Sequence, residues 1–109
     1  MKPAIPRQQA RADLRAEVTY YRKHACKPIA NQLASAVDDA LRHLQQNPGT
    51  GSLRIGQILD IPDLRSWRVS GFPLIWFYFE REDSLDIVRL LGERQDILAI
   101  LGDDTKGRQ

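Results

Sequence analysis

The sequence predicts an α+β fold: an antiparallel helical hairpin packed on a small antiparallel sheet of three to four strands, with a short C-terminal helix. Two successive apolar stripes at helical spacing run from Ala10 to Leu44 and are split at Lys27-Pro28. The run Leu64 to Leu91 then holds three short pieces rich in aromatic and β-branched residues, divided by turn chemistry. At 109 residues and 42% hydrophobic content there is material for one core, so residues 1–109 are read as one domain.

Pro3-Ala4-Ile5-Pro6 can form at most a short edge strand, because each proline lacks the donor that a central strand needs. The first helix of the hairpin, which spans about residues 7–46, is expected from about Arg7 to His24. Its stripe is Ala10, Leu14, Val18, Tyr21 and Ala25. Lys27-Pro28 ends it, since the residue before proline is pushed out of the α region and proline suits the first turn of a new helix. The second helix follows from about Ile29 to Gln46, with Leu33, Val37, Ala40, Leu41 and Leu44 on its stripe, and Asn47-Pro48-Gly49 stops it. Residues 52–63 alternate poorly and are expected to be a loop with one ragged edge strand around Arg54 to Leu59.

The sheet is expected over about residues 64–91. A turn at Ser70-Gly71-Phe72-Pro73 sets Val69 opposite Leu74, Trp67 opposite Trp76 and Arg65 opposite Tyr78, all on one face. Leu64, Phe77, Phe79 and Ile75 take the other face. Closing the next loop with Glu80 opposite Leu85 sends Ile87, Arg89 and Leu91 to the tryptophan face, and Val88 and Leu90 to the phenylalanine face; a shift of one residue would swap these. The middle strand, Leu74 to Phe79, is apolar on both faces, so both must be covered. The helical hairpin can cover one. The tryptophan face is expected to be covered by Gly92 to Leu101, whose helix is placed at about residues 93–101, or by a partner segment anchored on Trp, Tyr and Arg. The polar tail after Leu101 is expected to be frayed.

Composition narrows the chemistry. The formal charge is only +2, with basic residues concentrated in the first third, where they suit a solvated helix face or an acidic partner. Cys26 is the only cysteine, which excludes an internal disulfide or a cysteine metal site and suits a reducing cytoplasm; the N-terminus has no apolar h-region, and no membrane span is expected. His24 and His43 have no metal-spaced companions, Asp38 and Asp39 diverge on a helix, and no phosphate loop or nucleophile motif is present. No catalytic residue, metal or cofactor is therefore expected. Arg65, Arg68, Arg89 and Arg94 could hold phosphates, but an RNA-cleaving reading needs a group for proton transfer, and Tyr78 is the candidate on those strands.

Four motifs occur in order along nearly the whole chain: Ala10-x-x-Asp13-Leu14 with Tyr20-Tyr21; Leu44-x-x-x-Pro48-x-x-Gly51; Leu64-Arg65-x-x-x-Val69-x-x-Phe72-Pro73 leading to Tyr78; and Leu90-Leu91-Gly92-Glu93-Arg94-Gln95-Asp96-Ile97. Together they resemble the RelE/ParE superfamily of bacterial toxins, and most closely its ParE-like, plasmid-stabilisation branch. The resemblance implies the toxin of a type II toxin-antitoxin module, a cytoplasmic hetero-oligomer with a cognate antitoxin of ParD or related type. The target it implies is DNA gyrase, inhibited by binding, with growth arrest as the outcome and neither sequence-specific nucleic-acid binding nor membrane contact. With the uncovered tryptophan face in mind, antitoxin contact is expected at Arg65, Trp67, Trp76, Tyr78 and Arg89, and toxicity at Arg94, Asp96 and Ile97. The alternatives are a RelE-like ribosome-dependent mRNA endoribonuclease using Arg65, Arg68 and Arg94, or an inactive homologue that only binds antitoxin. The ribonuclease pattern's C-terminal tyrosine should fall where this chain has Ile100 and Leu101.

Overall fold

The computed structural model describes residues 1–106. In chain order the elements are β1 (Ala4–Pro6), α1 (Gln8–His24), α2 (Lys27–Gln46), a 3-10 turn (Pro48–Thr50), α3 (Arg54–Leu59), β2 (Leu64–Arg68), β3 (Leu74–Glu80), β4 (Leu85–Gly92) and α4 (Ile97–Lys106). The strands lie in the order β1-β4-β3-β2, antiparallel except that β1 runs parallel to β4. The fold is the expected α+β one, with the helical hairpin where the periodicity put it.

The α1–α2 hairpin covers the tryptophan face. Leu33, Val37 and Leu44 of α2 pack with Val69, Leu74, Trp76 and Tyr78 of the sheet, and Leu14, Val18 and Tyr21 of α1 border them. The Trp76 indole Nε1 donates to the Val37 carbonyl at 3.1 Å, so the ring is fixed by a polar tip as well as by its apolar body. This corrects the expectation that the tryptophan face would be covered by the C-terminal segment or by a partner. Two helices of 17 and 20 residues supply the broad apolar surface that this face needs.

The phenylalanine face is covered by α3 and α4. Leu64, Phe77, Phe79, Val88 and Leu91 cluster with Leu101, and Ile55, Leu59, Ile97 and Ile100 pack against them. The ragged strand expected at Arg54–Leu59 is instead a helix. Its apolar residues Ile55, Ile58 and Leu59 stand at i, i+3 and i+4, and only six residues of pattern were too short to separate helix from strand. Asp60, in the left-handed region at φ 58°, ends it. A Cβ at Gly56 would meet the carbonyl oxygens of Ile61 and Leu64 at 2.8 Å each, so glycine is what lets this helix lie against the entry to β2.

The β2–β3 register is the expected one, with Trp67 opposite Trp76, Arg65 opposite Tyr78 and Gly71 at φ 84° in the turn. The β3–β4 register starts as expected, with Glu80 opposite Leu85, and then breaks. Tyr78 pairs with Ile87 but Phe77 pairs with Arg89, leaving Val88 as an inserted residue. Beyond this bulge Leu90 joins the tryptophan cluster and Leu91 the phenylalanine cluster, which reverses their expected faces. The C-terminal helix also starts later than expected, at Ile97 instead of residue 93, where Asp96 caps it by accepting the Ala99 N–H at 3.2 Å. It continues through the region expected to be frayed as far as Lys106, and the rest of that tail lies outside the described residues.

β1 is clamped by Arg7, whose guanidinium donates to both Asp86 carboxylate oxygens at 2.9 and 2.8 Å, while Arg81 reaches the same carboxylate at 3.3 Å. Burial alone would push the Asp86 carboxyl up, but the hydrogen bonds and charge of Arg7, aided by Arg81, hold it below its ordinary value of 3.8. A carboxyl whose folded pKa is depressed contributes stability that is present above the unfolded value and is lost as pH falls through the folded one. Urea unfolding should therefore show wild type losing stability from about pH 5 downward more steeply than Asp86→Asn. Parallel slopes for the two proteins would exclude this clamp as an acid-sensitive element.

Candidate functional site

The arginines proposed from sequence are mostly engaged within the fold. Arg89 pairs with Asp13 of α1, Nε to Oδ2 at 2.7 Å and Nη2 to Oδ1 at 3.0 Å, with side chains only 12% and 11% exposed. Asp13 also accepts the Leu90 N–H at 3.1 Å, so one carboxylate ties α1 to the strand just past the bulge. Arg68 pairs with Glu93 at 2.7 Å. Arg65 donates to the carbonyls of Gly49 and Gly51 at 3.1 and 2.8 Å.

Tyr78 belongs to the same arrangement as Arg65. Its buried hydroxyl donates to the Pro48 carbonyl at 2.8 Å and accepts the Gly51 N–H at 3.0 Å. Burial raises its pKa, and the Gly51 hydrogen bond and Arg65 only partly offset this, so the phenol stays protonated. A Cβ at Gly51 would overlap the Tyr78 hydroxyl and meet the Arg65 Cβ at 2.9 Å. Arg65 and Tyr78 thus hold the loop between α2 and α3. Trp76 is likewise buried, and Trp67 is half-buried, stacked on the exposed His43 ring at 4.8 Å between centroids. Of the five residues expected at an antitoxin contact, Trp76 and Tyr78 are buried in the chain alone, while Arg65, Trp67 and Arg89 are partly exposed, Arg89 at 12% and tied to Asp13.

A different place remains open. A groove of about 570 Å³ runs between α1 and the loop from Gly92 to Gln95. Ala16, Glu17, Tyr20 and Tyr21 form its helix wall, Pro73 and Leu74 its floor, and Glu93, Arg94 and Gln95 its far wall. The loop is firmly held: the Glu93 N–H donates to the Pro73 carbonyl at 3.0 Å and the Gly92 N–H to the Gln95 side-chain oxygen at 2.6 Å. Arg94 is exposed at its apex, beside Tyr21. Burial, then Glu17 and Tyr20, raise the Tyr21 pKa against the opposing charge of Arg94. Glu17 itself is raised by burial and then by Asp13.

Of the residues expected to carry toxicity, Arg94 lies on the groove, Asp96 caps α4 and Ile97 packs against the phenylalanine cluster. Sequence reasoning missed Glu17 and Tyr20 as groove residues. The i, i+3 spacing of Glu17 and Tyr20 was visible, but what faces them comes from a loop over seventy positions later. Among the described residues no helix is long and apolar enough to cross a membrane.

Comparison with known proteins adds the lineage. The solved structure of the chromosomal ParDE toxin-antitoxin system from P. aeruginosa is similar in fold, with a TM-score of 0.71 at 20% identity, covering 84% of this chain and 96% of that one. No curated protein matches at a significant level. The family model described as the ParE toxin of the type II toxin-antitoxin system parDE matches residues 5–97. The chain therefore belongs to the ParE toxin family of type II toxin-antitoxin systems.

Proposed function

We propose that this chain is a toxin that inhibits DNA gyrase by binding it, without catalysis, and that a cognate antitoxin of ParD type neutralises it in the cytoplasm. The family match over residues 5–97 carries the reading. The geometry supports its non-catalytic part. A ribonuclease using Arg65, Arg68 and Arg94 would need free guanidinium groups and a proton-transfer group, yet Arg65 and Arg68 are engaged and Tyr78 is buried and held protonated. Arg94 and the start of α4 are assigned to the target, and Arg65 and Trp67 to the antitoxin. Along that side of the sheet the β2 edge is already bonded at Ser66, which exchanges two hydrogen bonds of 2.9 Å with Ser52. A strand added there has only the Arg68 end to pair with.

The test is a supercoiling assay with purified gyrase and the purified chain, paired with induction in bacteria while DNA and protein synthesis are followed separately. Supercoiling should fall and DNA synthesis should stop first. Arg94→Ala should raise the concentration needed for half-inhibition by about tenfold or more, the equivalent of about 1.4 kcal/mol of binding. Early loss of protein synthesis with intact supercoiling would overturn the reading in favour of message cleavage, and no arrest at all would leave an antitoxin-binding homologue.

A further inference from the structure

We infer that the groove between α1 and the Gly92–Gln95 loop receives an arginine side chain of a partner protein, seated against the Glu17 carboxylate and the rings of Tyr20 and Tyr21. The inference rests on the reading that this groove faces a protein partner, and it names the chemistry of the residue that enters.

Glu17 is the key residue. It is partly buried on the helix wall, and its neighbour in charge is another carboxylate, Asp13, which is already committed to Arg89 and the Leu90 N–H. Among the described residues no donor bonds the Glu17 carboxylate, and because no buried side-chain oxygen is left unbonded its oxygens reach solvent in the groove, open to an incoming cation. Its raised pKa reflects its partial burial and the nearby Asp13 charge. The natural complement is a cation that also tolerates apolar surroundings. Tyr20 is 57% exposed, lies edge to face with Tyr21 at 5.7 Å between centroids and packs on the His24 ring at 4.5 Å, so the wall beside Glu17 is aromatic, with the Tyr20 ring its most exposed part. A planar guanidinium can bond a carboxylate in a fork and stack on a tyrosine, whereas a lysine ammonium does the first less well and stays strongly hydrated. Ala16, small and exposed, leaves room beside the glutamate, and Leu74 and Pro73 provide an apolar floor for the arginine methylenes. Arg94 stands on the opposite wall near Tyr21, so a carboxylate on the same partner segment would meet it across the groove. Oppositely charged walls then fix the direction in which the segment lies.

The experiment is an NMR titration of the whole chain with three capped dipeptide amides: acetyl-leucyl-arginine, acetyl-leucyl-citrulline, which keeps the shape without the charge, and acetyl-leucyl-glutamate. The arginine probe should shift the amides of Ala16, Glu17, Tyr20 and Tyr21 and bind about fivefold or more tighter than the citrulline probe, as expected for one charge-assisted pair. In Glu17→Gln the two should bind equally, while the spectrum elsewhere stays native. Equal binding of arginine and citrulline to wild type, shifts lying outside the groove, or tighter binding of the glutamate probe would each overturn the inference. So would concentration-dependent shifts of the same amides without any probe, because those would identify a second copy of this chain as the occupant. The supercoiling assay is scored independently, so loss of the peptide result with gyrase inhibition intact removes only the arginine site.

Discussion

Trp76→Ala is expected to cost about 3 to 5 kcal/mol of stability, a large share of the roughly 5 to 15 kcal/mol typical of a whole domain. Trp76 is 1% exposed and central to the cluster between the hairpin and the sheet. Truncation removes most of its buried apolar surface, opens a cavity between two elements that cannot easily collapse, and strands the Val37 carbonyl without its 3.1 Å donor. Urea unfolding followed by circular dichroism measures the effect. Trp76→Phe separates the causes, since it keeps most of the volume and loses the indole N–H, and should cost about 1 to 3 kcal/mol. Trp67→Phe leaves Trp76 as the single tryptophan, so the same transition can be read by fluorescence. An alanine variant within about 1 kcal/mol of wild type would mean that the hairpin does not rest on this face.

Asp13→Ala should be comparably damaging, by about 3 to 5 kcal/mol, for a different reason. The substitution removes the 2.7 Å Asp13 contact from the Arg89 guanidinium, 12% exposed, and takes away the acceptor of the Leu90 N–H. Much of the penalty arises from the largely buried guanidinium losing its carboxylate and the Leu90 N–H losing its acceptor, not from the worth of the pair itself. That distinction is testable in one cycle: Asp13→Leu combined with Arg89→Met removes both charges and should recover most of the loss, with a coupling of about 2 kcal/mol or more. Additive losses would mean that the ion pair is looser in solution than the 2.7 Å contact implies.

How much of this was legible beforehand depended on the range of the interaction. The two helices were readable because their apolar stripes, such as Leu33, Val37, Ala40 and Leu44 in α2, recur at helical spacing within segments of 17 and 20 residues, long enough for the period to be unambiguous. The β2–β3 register was readable because the turn at Gly71 sits between two strands and fixes their pairing locally. The β4 faces were not, since one inserted residue, Val88, reverses the alternation and leaves no mark in the local composition. Nor could alternation say which helices would lie on which face. That choice depends on matching the area of the α1–α2 hairpin to the tryptophan cluster across the whole chain. The site followed the same rule. Arg94, Asp96 and Ile97 are consecutive enough to be seen as a group, and the motif order already singled them out. Arg65, Tyr78 and Arg89 looked like surface ligands on a strand diagram, but their partners Gly49, Gly51, Pro48 and Asp13 come from distant segments that consume them. Glu17 and Tyr20 stood out least, because a groove is defined by what faces it.

The parallel pairing of β1 with β4 has a consequence for the order of events in folding. Arg7 and Asp86 stand 79 positions apart, so the first strand has no neighbour until the last one has been made. During synthesis the α1–α2 hairpin can form early from local contacts, but its apolar stripe faces solvent until β3 and β4 leave the ribosome. α4 follows later still, and Leu101 is buried only when it docks. Closure of both layers is therefore a late, nearly simultaneous event governed by distant contacts. A chain interrupted before β4 leaves β1 without its pairing strand and the phenylalanine face without α4, open to whatever holds nascent apolar surface in the cell.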